Sequence, residues 1–571
     1  MFTLKCWISN FTIDCDNKEN ASALMQALKN WFALLITVLF AIFVLFHLIE
    51  IETAQAQTAE LNPVVRSASR WDTSPPLRDL ALKQPVMLAP GQALEIPLYS
   101  LPIPLLESAV TDIDSVIQKS FLGVSAPPTI ANFEGLNNVN YVLPPDTNGD
   151  IGPNHYVQIV NLSYAVYNRN GNLLLGPLNN NTIFQGFGGP CETTNNGDPI
   201  VLYDHLADRW LLSQFAIPDP YYQCIAVSAT GDPTGQWHRY QFEISDTKLN
   251  DYPKFGVWPD AYYMTVNQFE ASAWAGQGVA AFERDQMLVG APARMVFFDL
   301  YEVDGTLGGM LPADLDGPPP PLGSPNPFAL VNDNIWEDQL QIWNFWVNWA
   351  SPSSSTFIFQ KTLSTASFDS NMCSGARNCI PQPGGSAVDA ISDRLMYRLQ
   401  YRNFGDHQSM VVNHTVDVGG DHAGVRWYEM RKTGGGWSIF QQGTFAPDSD
   451  HRWMGSVAMN SKGDIGLGYS VSSTTTSPSI RFTGRLAEDP AGQMTFSEGE
   501  IITGSGYQTS SSGRWGDYSM MAVDPVDDCT FWYTQEYYAE EGLAPWQTRI
   551  ASFKLRECGN PTILYFPLIY K

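Results

Sequence analysis

The sequence predicts an all-β molecule built from repeated sheets, and three observations predict it. Aromatic residues make up 12% of the chain and charged residues only 16%, well under the usual quarter. Gly and Pro number 46 and 39, the residues that tight turns demand. From about residue 129 onward, short alternating apolar runs are separated by turn signals, and no long 3.6-residue period appears.

In chain order, the first element is an export signal. Residues 31–49 form an apolar run long enough to cross a bilayer, followed by Ala54-Gln55-Ala56, small residues spaced as signal peptidase accepts. Met25 offers a simpler start than Met1, because the preceding residues are long and acidic for a signal's first region. Residues 1–56 are therefore read as an N-terminal extension and signal peptide, or as an uncleaved signal anchor. Either way the rest of the chain lies outside the cytoplasm, secreted or at the cell surface, with no membrane span in the mature chain. Residues 57–128 are rich in Pro, Leu and Ser with little periodicity, and are read as a poorly structured stalk carrying one short helix over 112–122.

Residues 129–557 hold the repeats. Gly149-Asp150-Ile151-Gly152 and Gly463-Asp464-Ile465-Gly466 each precede an alternating strand. Arg452-Trp453 and Arg514-Trp515 each open a small-residue strand leading to an Asn or Asp turn. Units of this kind begin near residues 146, 198, 254, 311, 389, 452 and 514. Their spacing of about 60 residues suits four-stranded sheets with loops. One such unit leaves edges and a face bare, so radial packing into a β-propeller of seven four-stranded blades is expected, with a pair of β-sandwiches or a β-helix as the competing all-β arrangements. A strand over 549–555 is expected to close the ring against 130–133. Residues 558–571 form a short apolar C-terminal tail, too short to span a membrane.

Beyond the signal the cysteines are Cys191, Cys224, Cys373, Cys379, Cys529 and Cys558, an even number in an exported chain and hence a disulfide framework. Fifteen pairings are possible for such a set. Nearest-neighbour pairing is favoured because each bridge would then staple one local unit.

The net charge is −26, with 58 acidic against 32 basic residues, and no basic run exists to displace counterions from phosphates. Nucleic-acid binding is thereby excluded. Nucleotide-binding, metalloprotease and serine-hydrolase motifs are absent from the sequence.

Several residue groups are candidates for chemistry. Asp146, Asn148 and Asp150 alternate around a Gly, a spacing that can turn oxygen ligands toward a structural Ca2+. Arg398, Arg426, Arg452 and Arg514 would grip a ligand carboxylate if they converged on a channel, and would otherwise act as struts. A glycosidase needs two carboxyl groups, or a Tyr activated by one. Asp517, Tyr533 and Glu536 supply those types within one unit, with Asp524 nearby and Asp198 and Asp260 in the first half. His407, His414 and His422 sit near one another without a metal-binding spacing. Trp336, Trp343, Trp346 and Trp349 crowd one stretch that either fills core or stacks on sugar rings.

Asp393-Arg394-Leu395-Met396-Tyr397-Arg398, Tyr401-Arg402-Asn403-Phe404, Gly424-Val425-Arg426-Trp427-Tyr428, His451-Arg452-Trp453-Met454-Gly455-Ser456, Arg514-Trp515-Gly516-Asp517-Tyr518 and the run from Asp524 to Tyr533 carry a resemblance. Over about 140–557 the chain resembles a family of exported bacterial β-propeller proteins with sialidase-like, BNR-type architecture. The resemblance implies that architecture and export, and no reaction. The Asp-box of sialidase propellers, S-x-D-x-G-x-x-W, is met only by the departing run from Ser228 to Trp237. Two functions follow: a glycan- or protein-binding module at the cell surface, or a sialidase-like glycoside hydrolase acting on acidic sugars.

Overall fold

The structure is a computed structural model that describes residues 5–8, 11–14, 26, 29–35, 37, 61–82, 93–101, 114–217, 219–333 and 338–559. The chain divides into two compact units, Met1–Glu60 and Leu61–Lys571. In the first, Lys5–Ile8 and Phe11–Asp14 pair as an antiparallel hairpin, and residues 29–35 are helical. The Ala54-Gln55-Ala56 site and the tail from residue 560 lie outside the described residues. No helix among the described residues is long and apolar enough to cross a membrane.

The regular structure of the second unit is almost entirely strand. Among the described residues, seven groups of antiparallel strands follow one another along the chain. Their first strands are Asn148–Ile151, Ile200–Asp204, Lys248–Val257, Leu311–Asp316, Met396–Asn403, His451–Met459 and Met520–Val523, each close to the start expected from the repeats. Each first strand lies against the next, and Met520–Val523 lies against Asn148–Ile151. The fourth and fifth groups share one sheet, joined by parallel pairing of Leu311–Asp316 with Met396–Asn403. The seventh group has three strands of its own. Its fourth is Ala131–Asn137, which pairs antiparallel with Trp546–Phe553, close to the pairing expected between 549–555 and 130–133.

Adjacent groups are stitched by side chains as well as by packing. A first strand at a sheet edge presents backbone N–H groups with no ladder partner. Asn148 Oδ1 accepts from Val201 N at 2.7 Å, and Asp150 Oδ2 accepts from Tyr203 N at 2.8 Å. The same device recurs where Asp314 takes Val257 N, Gln400 takes Met459 N and Ser456 takes Met521 N. Between these polar stitches the buried apolar side chains form the main core, with satellite clusters around Trp210, Phe482 and Trp427.

The described residues of the stretch read as a stalk, 61–82, 93–101 and 114–128, include strands and a helix that lie against the sheets. Val64–Ser67 adds to the outer edge of the third group and Arg70–Thr73 to that of the second. Leu94–Glu95 pairs with Val142–Leu143, and Ile117–Gln118 pairs with the fifth group's edge, in place of the helix expected there. Leu77 and Leu80, from the short helix Leu77–Ala81, are fully buried. This segment covers edges that would otherwise be bare. The two Gly-Asp-Ile-Gly copies also prove inequivalent. The first lies in a first strand, whereas the second makes the turn into a second strand, Ile465–Ser472. The three disulfides are the nearest-neighbour pairs Cys191–Cys224, Cys373–Cys379 and Cys529–Cys558.

Candidate functional site

The residues that lead into the first strands converge on one end of the assembly. Asp146 and Asp198 stand two residues ahead of Asn148 and Ile200, with φ of 47° and 46°. Tyr252 has φ 54° at an irregularity in the third group's first strand. Left-handed backbone is costly for non-glycine residues and collects where function or close packing requires it. Here it lets the Asp side chains turn back onto neighbouring backbone. Asp146 Oδ1 accepts from Asp517 N at 2.7 Å, and its Oδ2 accepts from Asn161 Nδ2 at 2.9 Å. Asp198 Oδ2 accepts from Tyr252 N at 3.0 Å. Gly516 is needed beside them, because a Cβ there would meet Glu536 Oε2 at 2.9 Å.

Three cations stand among these carboxylates. Lys254 is fully buried, its Nζ 3.4 Å from the centre of the Tyr252 ring and 3.8 Å from that of Tyr518. Arg514 Nη2 reaches Asp517 at 3.3 Å and Arg514 Nη1 reaches Ile96 O at 3.0 Å. Arg394 is held by Asp393 at 2.7 Å and lies over the Tyr252 ring. Asp251, Asp393 and Asp517 are half-buried, so this mouth opens to solvent above a buried floor of Asp146, Asp198 and Lys254.

Desolvation sets the charge state of the floor. Burial first, then the charges of Asp517 and Asp198, push the Asp146 carboxyl well above its ordinary range. Burial and neighbouring carboxylates raise Asp198 and Asp251 to about 7, against the pull of Lys254. Burial lowers the Lys254 ammonium to about 8, although Asp198 and Asp146 oppose it. Glu536 is also raised, by burial first. Acids that stay partly protonated near neutral pH both donate and accept hydrogen bonds, which is what hydroxyl-rich ligands require.

The candidates from sequence are partly assembled here. Asp146, Arg514, Asp517 and Glu536 share this end, although they were singled out for three different chemistries. Asn148 and Asp150 lie in an extended strand, where Asn148 Oδ1 and Asp150 Oδ2 accept from amides of the second group and Asp150 Oδ1 accepts from Ile151 N. Among the described residues no group of three or more His, Cys, Asp or Glu is placed to hold a metal ion.

The four arginines do not converge. Arg398 joins Asp314 and Asp316 and donates to Met521 O. Arg426 pairs with Asp114 at 3.1 Å, and Arg452 pairs with Asp448 and Glu498. Only Arg514 reaches the mouth. Tyr533 is fully buried and its hydroxyl donates to Ser519 Oγ at 3.1 Å, away from solvent. His414 is buried, pushed down to about 3 by burial and then by Arg426, and shares a hydrogen bond with Tyr428. His407 instead contacts Asp406, and His422 contacts Asp450 O. Trp343 is buried and Trp346 exposed, while Trp336 lies outside the described residues.

At the other end of the first strands, Asp150, Tyr203, Asp316, Val523 and Asp528 line a cavity of about 150 Å3. Arg398 and Arg402 neutralise Asp316 and Asp528 there. Burial raises Asp150 to about 8, against Arg398.

Lys254, Asp251, Arg394 and the two mouth tyrosines were not singled out from the sequence. A signal for Asp251 and the two tyrosines is the dipeptide Asp-Tyr, repeated as Asp251-Tyr252 at the irregularity inside one first strand and as Asp517-Tyr518 just ahead of another; Lys254 and Arg394 carry no such signal.

No family model matches the chain, and no curated protein matches it. Among solved structures it is similar to a protein of unknown function from Dyadobacter fermentans, at 11% identity over 62% of this chain and 94% of that one, with a TM-score of 0.32. It is also similar to an ulvan lyase described as a new family of polysaccharide lyase, at 12% identity over 74% and 80% of the two chains, with a TM-score of 0.26. A third is the α-L-arabinanase of Penicillium chrysogenum, at 9% identity over 63% and 93%, with a TM-score of 0.25. Likenesses at these TM-scores decide neither the architecture nor the ligand.

Proposed function

We propose that the chain is an exported, seven-bladed β-propeller that binds a glycan at the mouth formed by Asp251, Asp393 and Asp517 over the buried Asp146 and Asp198. The seven groups, their successive first-strand contacts and the strand contributed by Ala131–Asn137 support the propeller reading. Three disulfides and the apolar run at 31–49 support export.

The observation that carries the binding reading is the convergence of half-buried Asp251 and Asp517 over a floor of raised carboxyls and a lowered lysine. Perturbed groups gathered where side chains still reach solvent mark a candidate functional site. Here they offer hydroxyl-matching donors and acceptors. A sialidase-like hydrolase has less support. Its carboxylate grip needs converging arginines, and Arg398, Arg426 and Arg452 each have separate acidic partners. Its nucleophile would be Tyr533, which solvent does not reach.

The test is a mixed glycan panel passed over the purified chain and over Asp251→Asn and Asp517→Asn variants, read by mass spectrometry. Intact glycans retained by the wild type, and retained about tenfold less by the variants, support the reading; tenfold is about 1.4 kcal/mol. Shortened glycans would instead establish a hydrolase. Neither retention nor shortening would point to a protein ligand.

A further inference from the structure

A groove of about 500 Å3 opens between the seventh and first groups, where the strand Ala131–Asn137 ends the seventh. It lies among residues that follow the first strands, at the end opposite the mouth. Asp524 follows Met520–Val523, and Arg169 and Asn170 make the turn after Ser163–Asn168. The volume is in the range of small-ligand pockets.

The charges in the groove are already paired. Arg169 Nη1 donates to Asp524 Oδ1 at 3.2 Å, and Nη2 also contacts this carboxylate. Lys554 Nζ lies 3.2 Å from Asp527. Each cation keeps a solvent-facing portion, 31% for the Arg169 side chain and 25% for Lys554. The lining thus presents N–H donors from Arg169 and Lys554 and the partly exposed Asp527 carboxylate, with the buried Asp524 balancing Arg169 so that no net charge remains. Thr530 and Ser552 also border the groove, but both are buried: Thr530 Oγ1 donates to Asp527 and Ser552 Oγ accepts from Ala131 N.

The remaining wall is apolar. Ile130 is 64% exposed at the groove, and the half-buried Phe133 ring stands beside it. Trp532 is buried behind them, and its Nε1 donates to Asp524 at 3.1 Å, which fixes the carboxylate's direction.

We propose that this groove is a binding site for a neutral saccharide of one or two rings. A sugar's hydroxyls both donate and accept, and hydrogen bonds to charged groups are stronger than neutral ones. Its C–H face needs an apolar wall, which Ile130 and Phe133 supply. A carboxylate ligand would meet Asp524 and Asp527 without an unpaired cation to receive it. An amine would meet Arg169 and Lys554 without a free carboxylate. The site is independent of the mouth, which carries a clustered acidic floor and no exposed apolar wall.

The test is saturation-transfer NMR and calorimetry on the full chain. The probes are neutral gluco-, galacto- and manno-disaccharides, with glucuronic acid and glucosamine analogues alongside. Asn170 is an exposed turn residue, so Asn170→Trp fills the groove without entering the core. At least one neutral disaccharide is expected to bind. Asn170→Trp is expected to weaken it at least tenfold with an unchanged melting temperature, and Lys554→Ala is expected to weaken it if the Trp variant fails to fold. Asp517→Asn, at the mouth, is expected to leave this binding unchanged. The charged analogues should bind at least tenfold more weakly. The proposal is overturned if no neutral disaccharide binds, if the charged analogues bind as well, or if binding survives the groove variants. Loss with Asp517→Asn alone would assign the sugar to the mouth and overturn the groove.

Discussion

Asp198 and Lys254 show how burial at the mouth converts ordinary side chains into groups that titrate near neutrality. Folded, Asp198 and Asp251 keep a proton to about pH 7; unfolded, such carboxyls lose it near pH 4. Between those limits the folded chain binds more protons, so their contribution to stability falls as pH rises from about 4 to about 7. Lys254 acts on the other side. Folded, it releases its proton near pH 8; unfolded, lysine holds it to about pH 10.4. Stability is therefore regained as pH rises across that second window. Carboxyls held low by arginines, such as Asp204 and Asp393, pull in the opposite sense at acid pH. The clean test is thus a difference. The melting temperature of Asp198→Asn should fall less than that of the wild type between about pH 4.5 and 7, by a few degrees. Asn keeps the oxygen that receives Tyr252 N, so the fold is retained. Parallel curves for the two proteins would show that Asp198 holds no extra proton. These residues were legible in sequence only in part. Asp198, Asp517 and Glu536 are of catalytic types, but nothing local distinguishes a buried acid from a turn acid. Burial depends on which first strands come together, and that is a property of the assembled sheets.

At the scale of elements, the polar residues on first strands are amide acceptors for the neighbouring group. This explains why Asp146-Thr147-Asn148-Gly149-Asp150 looks like a cation loop: alternate oxygens point one way along an extended strand. They meet backbone N–H groups of Ile200–Asp204 there. Removing one acceptor leaves a buried donor unsatisfied, which costs about 1–3 kcal/mol. Asn148→Ala and Ser456→Ala should each lower the free energy of unfolding by about that much, measured by urea titration, because Val201 N and Met521 N lose their partners. A change within about 0.5 kcal/mol, the range of a neutral surface substitution, would show that the stitch is not structural. Strand starts were legible because alternation and turn residues mark them. The strands Val64–Ser67 and Arg70–Thr73 were not, since most of their side chains are exposed. They are held by backbone ladders to an outer edge, which leave no hydrophobic period to read. The Gly-Asp-Ile-Gly repeat misled for a related reason. One copy lies within a first strand and the other makes the turn into a second strand, so its recurrence does not report register.

For the whole molecule, the segment from Leu61 to Asn137 binds groups that are far apart in sequence. It adds strands to the third, second, fifth and seventh groups in turn. It also supplies acids to buried arginines: Asp72 receives Arg239, and Asp114 receives Arg426, whose side chain is fully enclosed. A chain starting at residue 129 keeps Ala131–Asn137 but loses both acids, the buried Leu77 and Leu80, and three edge strands. Leaving a buried arginine without its partner costs about 3–5 kcal/mol, and uncovered edges invite pairing between molecules. The chain 129–571 should therefore unfold at markedly lower urea than the chain 57–571 and should elute as oligomers in size-exclusion chromatography. Asp114→Asn in the longer chain separates the two causes, because it removes only the ion pair. It should lower stability while the protein stays monomeric. If 129–571 were monomeric and as stable as 57–571, the segment would be the stalk that its composition suggests, and the covered edges would need no cover.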